Sequence, residues 1–155
     1  MITGNNIEAY IKRDGIYVTQ TMGISMLPFI RQGHSKVLIV PNEGRLKKYD
    51  VALFHRPTGQ YVLHRVVKVR KNDYIFCGDN QKKWEHGVTD DLIVGVMKEL
   101  YNDGVKVDIE SEEYFKQVKK IVRKSRRSSW VTNFKMVLYR IGFVKRLADY
   151  LKNKK

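Results

Sequence analysis

The chain has 155 residues, one cysteine and a formal net charge of +14. That length makes one domain of ordinary size, able to bury a core and to carry a modest extension. One cysteine excludes an internal disulfide framework and suits a reducing compartment, and no run of about 18 apolar residues exists to cross a bilayer as a helix.

Residues 1–5 are polar and carry no secretory pattern, so a cytoplasmic location is expected. Ile7-Glu-Ala-Tyr-Ile-Lys-Arg-Asp14 predicts one or two amphipathic helical turns ending before Gly15. From there the chain alternates β-branched or aromatic runs with turn signals. The runs fall at 15–21, 36–40, 51–54, 61–69, 74–77, 92–97 and 105–109. The turn signals are Pro41 to Gly44, Arg56 to Gly59, Lys71 to Asp73 and Asn102 to Gly104. Seven short strands punctuated in this way predict a mainly β, twisted and mostly antiparallel fold over residues 1–109.

Beyond residue 110 the composition changes. Residues 111–155 hold 14 Lys and Arg against 3 Asp and Glu, so nearly all the excess positive charge lies in this extension. Tyr114, Phe115, Val118, Ile121 and Val122 form the apolar face of a first predicted helix, which the segment Ser125 to Ser129 is expected to interrupt. A second helix, with Ser129 as its N-cap, carries Trp130, Phe134, Val137, Ile141, Val144, Ala148 and Leu151 at alternating spacings of four and three. Two readings of this stripe stand side by side: a helix docked on the β domain with a solvated basic face, or an in-plane anchor on an anionic membrane surface through residues 129–155. Coiled-coil pairing is a third, weakened by Gly142. A basic helical extension could also track nucleic-acid phosphates without sequence preference.

The chemistry-bearing residues are a serine in a turn, a histidine inside a strand and a carboxylate after it, the parts of a nucleophile, base and orienter. Singly, each has an ordinary explanation, as a turn residue, a core histidine and a solvated acid. Together, the segments Gly23-Ile-Ser-Met-Leu-Pro28, Asp50-Val-Ala-Leu-Phe54, His64-Arg-Val-Val67 and Gly78-Asp-Asn80 resemble the successive boxes of the serine peptidase clan that holds type I signal peptidases and the self-cleaving LexA-type repressors. The resemblance spans residues 17–100 and implies the coiled antiparallel β fold of that clan. It also implies that Ser25 is the nucleophile and that His64 takes the base position, which is a lysine in many members and a histidine in the endoplasmic-reticulum type. An imidazole titrates near neutrality and accepts a serine proton without the burial a lysine needs.

The resemblance further implies an acid a few residues past the Gly78 box. Counting places Glu85 there, where aspartate is the commoner occupant, and Asp79 within the box is the rival. Asp90 and Asp91 are further candidates with an ordinary reading as solvated turn residues. Gly23 stands where many bacterial members carry a hydroxyl, so an oxyanion would rest on the Ser25 amide and neighbouring main-chain donors. Thr21 is near but on the wrong count. Met26 is expected to fill an apolar gap beside the site and to meet substrate, and Pro28 to fix the turn. Cys77 reads as a small buried hydrophobe. His34, His55 and His86 are isolated, so neither a metal nor a cofactor is expected.

The expected activity is a Ser–His endopeptidase that cuts a leader or propeptide from another polypeptide, with small residues before the cut. The alternative is a non-catalytic regulator that binds nucleic acid or membrane and retains the peptidase fold. Self-cleaving repression is disfavoured: the chain before Gly23 is too short for a DNA-reading helix-turn-helix, and the one Cys-Gly dipeptide, Cys77-Gly78, lies downstream of the nucleophile.

Overall fold

The computed structural model describes residues 7–127. It is mainly β, an eight-stranded antiparallel sheet with two helices. Helix α1, Ile7–Asp14, presents its one buried residue, Ile11, to Ile39 and Leu53. It stops where the sequence expects, with the Gly15 amide donating to Ile11 O at 3.0 Å.

The strands are β1 Tyr17–Gln20, β2 Ser35–Val40, β3 Val51–His55, β4 Tyr61–Val69, β5 Tyr74–Cys77, β6 Glu85–Val88, β7 Ile93–Asn102 and β8 Val105–Val107. They lie in the order β1-β2-β7-β3-β4-β5-β6, and β8 pairs with β7. Strand β7 is the hub because it is long enough to pair with β2 along residues 96–102 and with β3 along residues 93–96. The expected end at Met97 falls short because Lys98, Glu99 and Tyr101 break the apolar run; the register with β2 shifts between Met97 and Glu99, and this irregularity brings Leu100, fully buried, back to the core three residues after Met97.

Strand β3 is buried on both faces. Val51 joins a cluster with Met26, Phe29, Ile30, Val67 and Leu100, while Ala52 and Phe54 join another with Val62, Val66, Tyr74 and Phe76. An uninterrupted apolar Val-Ala-Leu-Phe run is what such a position requires.

A second helix, α2, covers residues 112–127. Ser111 opens it, its Oγ accepting the Tyr114 amide at 3.2 Å. Tyr114, Val118 and Val122 are buried in the first of the two clusters, so α2 packs into the same core as the sheet. Three such side chains contribute roughly 1.5–3 kcal/mol each by area. The expected apolar face is narrower than its sequence suggests, since Phe115 is exposed. The expected interruption at Ser125 is also corrected. The helix continues to Arg127, and Ser125 is buried, its hydroxyl donating to Val122 O at 3.1 Å and accepting from Trp84 Nε1 at 3.3 Å. A serine satisfied by the preceding turn does not end a helix. Ser129 and the stripe from Trp130 to Leu151 lie outside the described residues. No helix among the described residues is long and apolar enough to cross a membrane.

Candidate active site

Ser25 sits in the turn that leads from β1 to β2. The turn is nailed to the core by Met26, Phe29 and Ile30, all buried, while Met22 and Ile24 are exposed on its outer side. Gly23 takes φ +91°, a left-handed conformation that a side chain would strain. Its amide donates to Gln32 Oε1 at 2.7 Å, which makes it a turn residue rather than a free donor. Among the described residues the Ser25 amide has no protein acceptor.

The Gly78 segment braces this turn from behind. The Asn80 amide donates to Ser25 O at 2.8 Å and Asn80 Nδ2 to Ile24 O at 3.3 Å. A Cβ on residue 78 would stand 2.7 Å from Ser25 O, so only glycine allows the approach.

His64 lies in β4 opposite Ala52, whose small side chain leaves room for the ring. Register then explains its partner. Val66 pairs with Phe76 and Phe76 with Glu85, which puts these three on one face; His64 is two residues along from Val66 on that same face. Glu85 Oε1 stands 2.7 Å from His64 Nδ1. Glu85 opens the edge strand β6, whose Glu-His-Gly-Val sequence has too few β-formers to read as a strand.

The other oxygen, Glu85 Oε2, accepts Arg56 Nε at 2.7 Å, and Arg56 Nη1 donates to Gln60 Oε1 at 2.6 Å. Burial alone would raise the Glu85 carboxyl, but the hydrogen bonds from His64 and Arg56 bring it down to about 2. An ionised carboxylate only accepts, so the proton of a neutral His64 lies on Nδ1 and the lone pair on Nε2. Arg56, whose sequence context reads as a turn, and Gln60, which the sequence does not single out, both join this site.

Ser25 and His64 line one cavity of about 350 Å³, together with Met26, Leu53, Leu63 and Arg56. No hydrogen bond joins the two side chains in the free protein; such bonds commonly tighten only with substrate in place. Met26 and Thr21 both line this cavity.

The rival acid is engaged elsewhere. Asp79 grips Arg65 with two bonds, from Nε at 2.8 Å and Nη2 at 2.7 Å, and both side chains are 1% exposed. Arg65 also donates to Tyr49 O at 2.9 Å and to the Tyr114 hydroxyl at 3.1 Å. Burial works against the guanidinium charge, yet Asp79 holds its proton more firmly than in water. Asp79 therefore does not contact His64, and Glu85 is the carboxylate at His64 Nδ1.

Asp90 takes the Tyr74 hydroxyl and Arg45 Nη1, and Asp91 is exposed in the 3₁₀ turn Asp90–Leu92; neither contacts His64. Cys77 is buried, its thiol pushed up to about 11 by burial, with Sγ directed at the Gly78 carbonyl at 3.3 Å. A thiol so raised is not a nucleophile near neutrality. His34 pairs with Asp103 at 2.7 Å, His55 packs on Tyr61 and His86 meets Arg70 at 3.2 Å.

The lowered Glu85 carboxyl has a consequence for stability. A group held below its unfolded value of about 4.5 stabilises the fold above that pH, and the stabilisation is lost as pH falls toward about 2. Glu85→Gln should therefore be less stable than wild type near neutrality and lose less between pH 4.5 and 2, read by urea midpoints across that window. Equal pH slopes for the two proteins would contradict the contact.

The chain matches no protein-family model, no curated protein and no solved structure.

Proposed function

We propose that the protein is a serine endopeptidase of the signal-peptidase type, with Ser25 as nucleophile, His64 as general base and Glu85 as the acid that orients it. The observation that carries this reading is the 2.7 Å contact between Glu85 and His64 Nδ1 in a cavity that Ser25 also lines. With Nδ1–H held, Nε2 is the atom left to accept the Ser25 proton as Oγ attacks a peptide carbonyl. The same proton passes to the departing amine, and water, activated by His64, then releases the acyl group from Oγ. The Ser25 amide steadies the oxyanion in both steps.

By resemblance, the substrate is another polypeptide carrying a leader or propeptide, with small residues before the cut. The cations Lys116, Lys120, Arg123, Lys124 and Arg127 along one side of α2 favour an anionic membrane surface as the setting. Retention on anionic vesicles, loss on neutral ones and weakening by salt are the expected results; no retention on either would remove that setting.

A fluorophosphonate probe tests the chemistry. Labelling of Ser25 that disappears in His64→Ala supports the assignment. A protein that never labels and never cuts a peptide library would instead be a binding regulator with a peptidase-like fold.

A further inference from the structure

Beside the catalytic cavity lies a second basin of about 670 Å³, bounded by Arg56, Asn80, Gln81, Lys82, Lys83 and Glu85. Arg56 and Gln81 line both, so the two adjoin. The walls differ in kind. The catalytic cavity mixes apolar side chains such as Met26, Leu53 and Leu63 with neutral polar ones such as Thr21 and Gln60 and has one cation, Arg56, whereas the smaller set of residues around the basin carries three cations and one acid.

That acid offsets only one of the three cations, Arg56. Glu85 spends one oxygen on His64 and the other on Arg56. Lys82 and Lys83 are exposed, and neither is ion-paired among the described residues.

The lysines are also held in place relative to the nucleophile. Asn80 donates to the Ser25 carbonyl, the Gln81 amide donates to Gly78 O, and the buried Cys77 Sγ lies 3.5 Å from Gln81 O and 3.6 Å from Lys83 O. Lys82 and Lys83 thus follow the serine-bracing residue by two and three positions on a tethered loop. At roughly 3.3 Å per extended residue, a chain crossing Ser25 toward this side passes the lysines within about three residues of the cut.

From this arrangement we propose that the basin is a substrate subsite for acidic side chains, with Lys82 and Lys83 selecting an Asp or Glu within three residues of the scissile bond, on one side of it. The inference rests on the peptidase reading and adds to it a substrate charge that the resemblance does not supply. Two exposed cations facing one carboxylate give a preference of roughly three- to tenfold, since each such pair is screened by water.

The test is a proteome-derived peptide library digested by the full chain, with the new termini read by mass spectrometry. Acidic residues enriched about three- to tenfold at one fixed position near the cut, with the enrichment shrinking in high salt and lost or reversed in the Lys82→Glu/Lys83→Glu double variant, would support the subsite. Cleavage without acidic enrichment, or enrichment that the double variant retains, would overturn it. Absence of any cleavage would sink the peptidase reading instead, and the basin is then judged by binding. Ser25→Ala protein is titrated with two fluorescent decapeptides that differ only in carrying Glu-Glu or Gln-Gln. Tighter binding of the Glu-Glu peptide that vanishes in Lys82→Gln/Lys83→Gln sustains the anion site, and equal binding of the two peptides refutes it.

Discussion

Ser25→Ala and His64→Ala are each expected to lower turnover of a cleaved peptide by roughly four to six orders of magnitude, and the double variant to be scarcely worse than either. The reason is that the hydroxyl is a weak nucleophile until the imidazole takes its proton, so the two groups supply one effect between them. Glu85→Gln should be milder by one or two orders, because the base remains but its tautomer and angle are no longer imposed. Arg56→Gln should lie between Glu85→Gln and wild type, as the carboxylate keeps His64 but loses its second anchor at Oε2. The profile to measure is kcat with KM for one peptide across the set. Additive losses at Ser25 and His64, or a Ser25→Ala protein that still cuts, would dismantle the mechanism.

The largest effect on stability is expected at the buried pair Arg65 and Asp79. Replacing Arg65 by Met leaves a carboxylate 1% exposed without its two charged donors, a loss of about 3–5 kcal/mol. In a chain of this size that corresponds to a fall in melting temperature on the order of 10 °C. Adding Asp79→Leu to Arg65→Met should restore much of it, since the cost lies in the stranded charge more than in the absent bridge. Chemical denaturation of the two single variants and the double variant gives the coupling energy directly. Near-additive losses would mean that the pair is solvated in a way its geometry contradicts.

How much of this was legible in the sequence differs by residue. Strands β4 and β5 match their expected limits at both ends, because long β-branched runs bounded by Arg70 to Asp73 leave little choice of register. Strand β6 was hidden. Its four residues, with Gly87 among them, form a strand only because β5 offers an edge, and a tertiary neighbour of that kind leaves no local pattern. Glu85 was reached by counting from the Gly78 segment, and its hydrogen bond to His64 is a product of cross-strand register that no propensity reports. Arg56 could not be reached at all. It lies 29 residues from Glu85, in a turn where an arginine is unremarkable, and only the successive pairing of β3 with β4, β4 with β5 and β5 with β6 brings the two side chains together. Asp79, the rival acid, is close in sequence to the residues behind Ser25 but is held by Arg65, one position from His64.

The three residues Gly78, Asp79 and Asn80 alternate between two partners: the Ser25 carbonyl by close approach, Arg65 by a buried ion pair, and the Ser25 turn again by hydrogen bonds. Arg65 in turn reaches the Tyr114 hydroxyl on α2. A strut therefore runs from the helix through the sheet to the back of the nucleophile, and the helix bears on where Ser25 points even though it contributes nothing to the cavity. A fragment cut after β8 would lose Tyr114 and with it one of the partners that hold Arg65, so it should hold the Ser25 turn less firmly than the chain with α2.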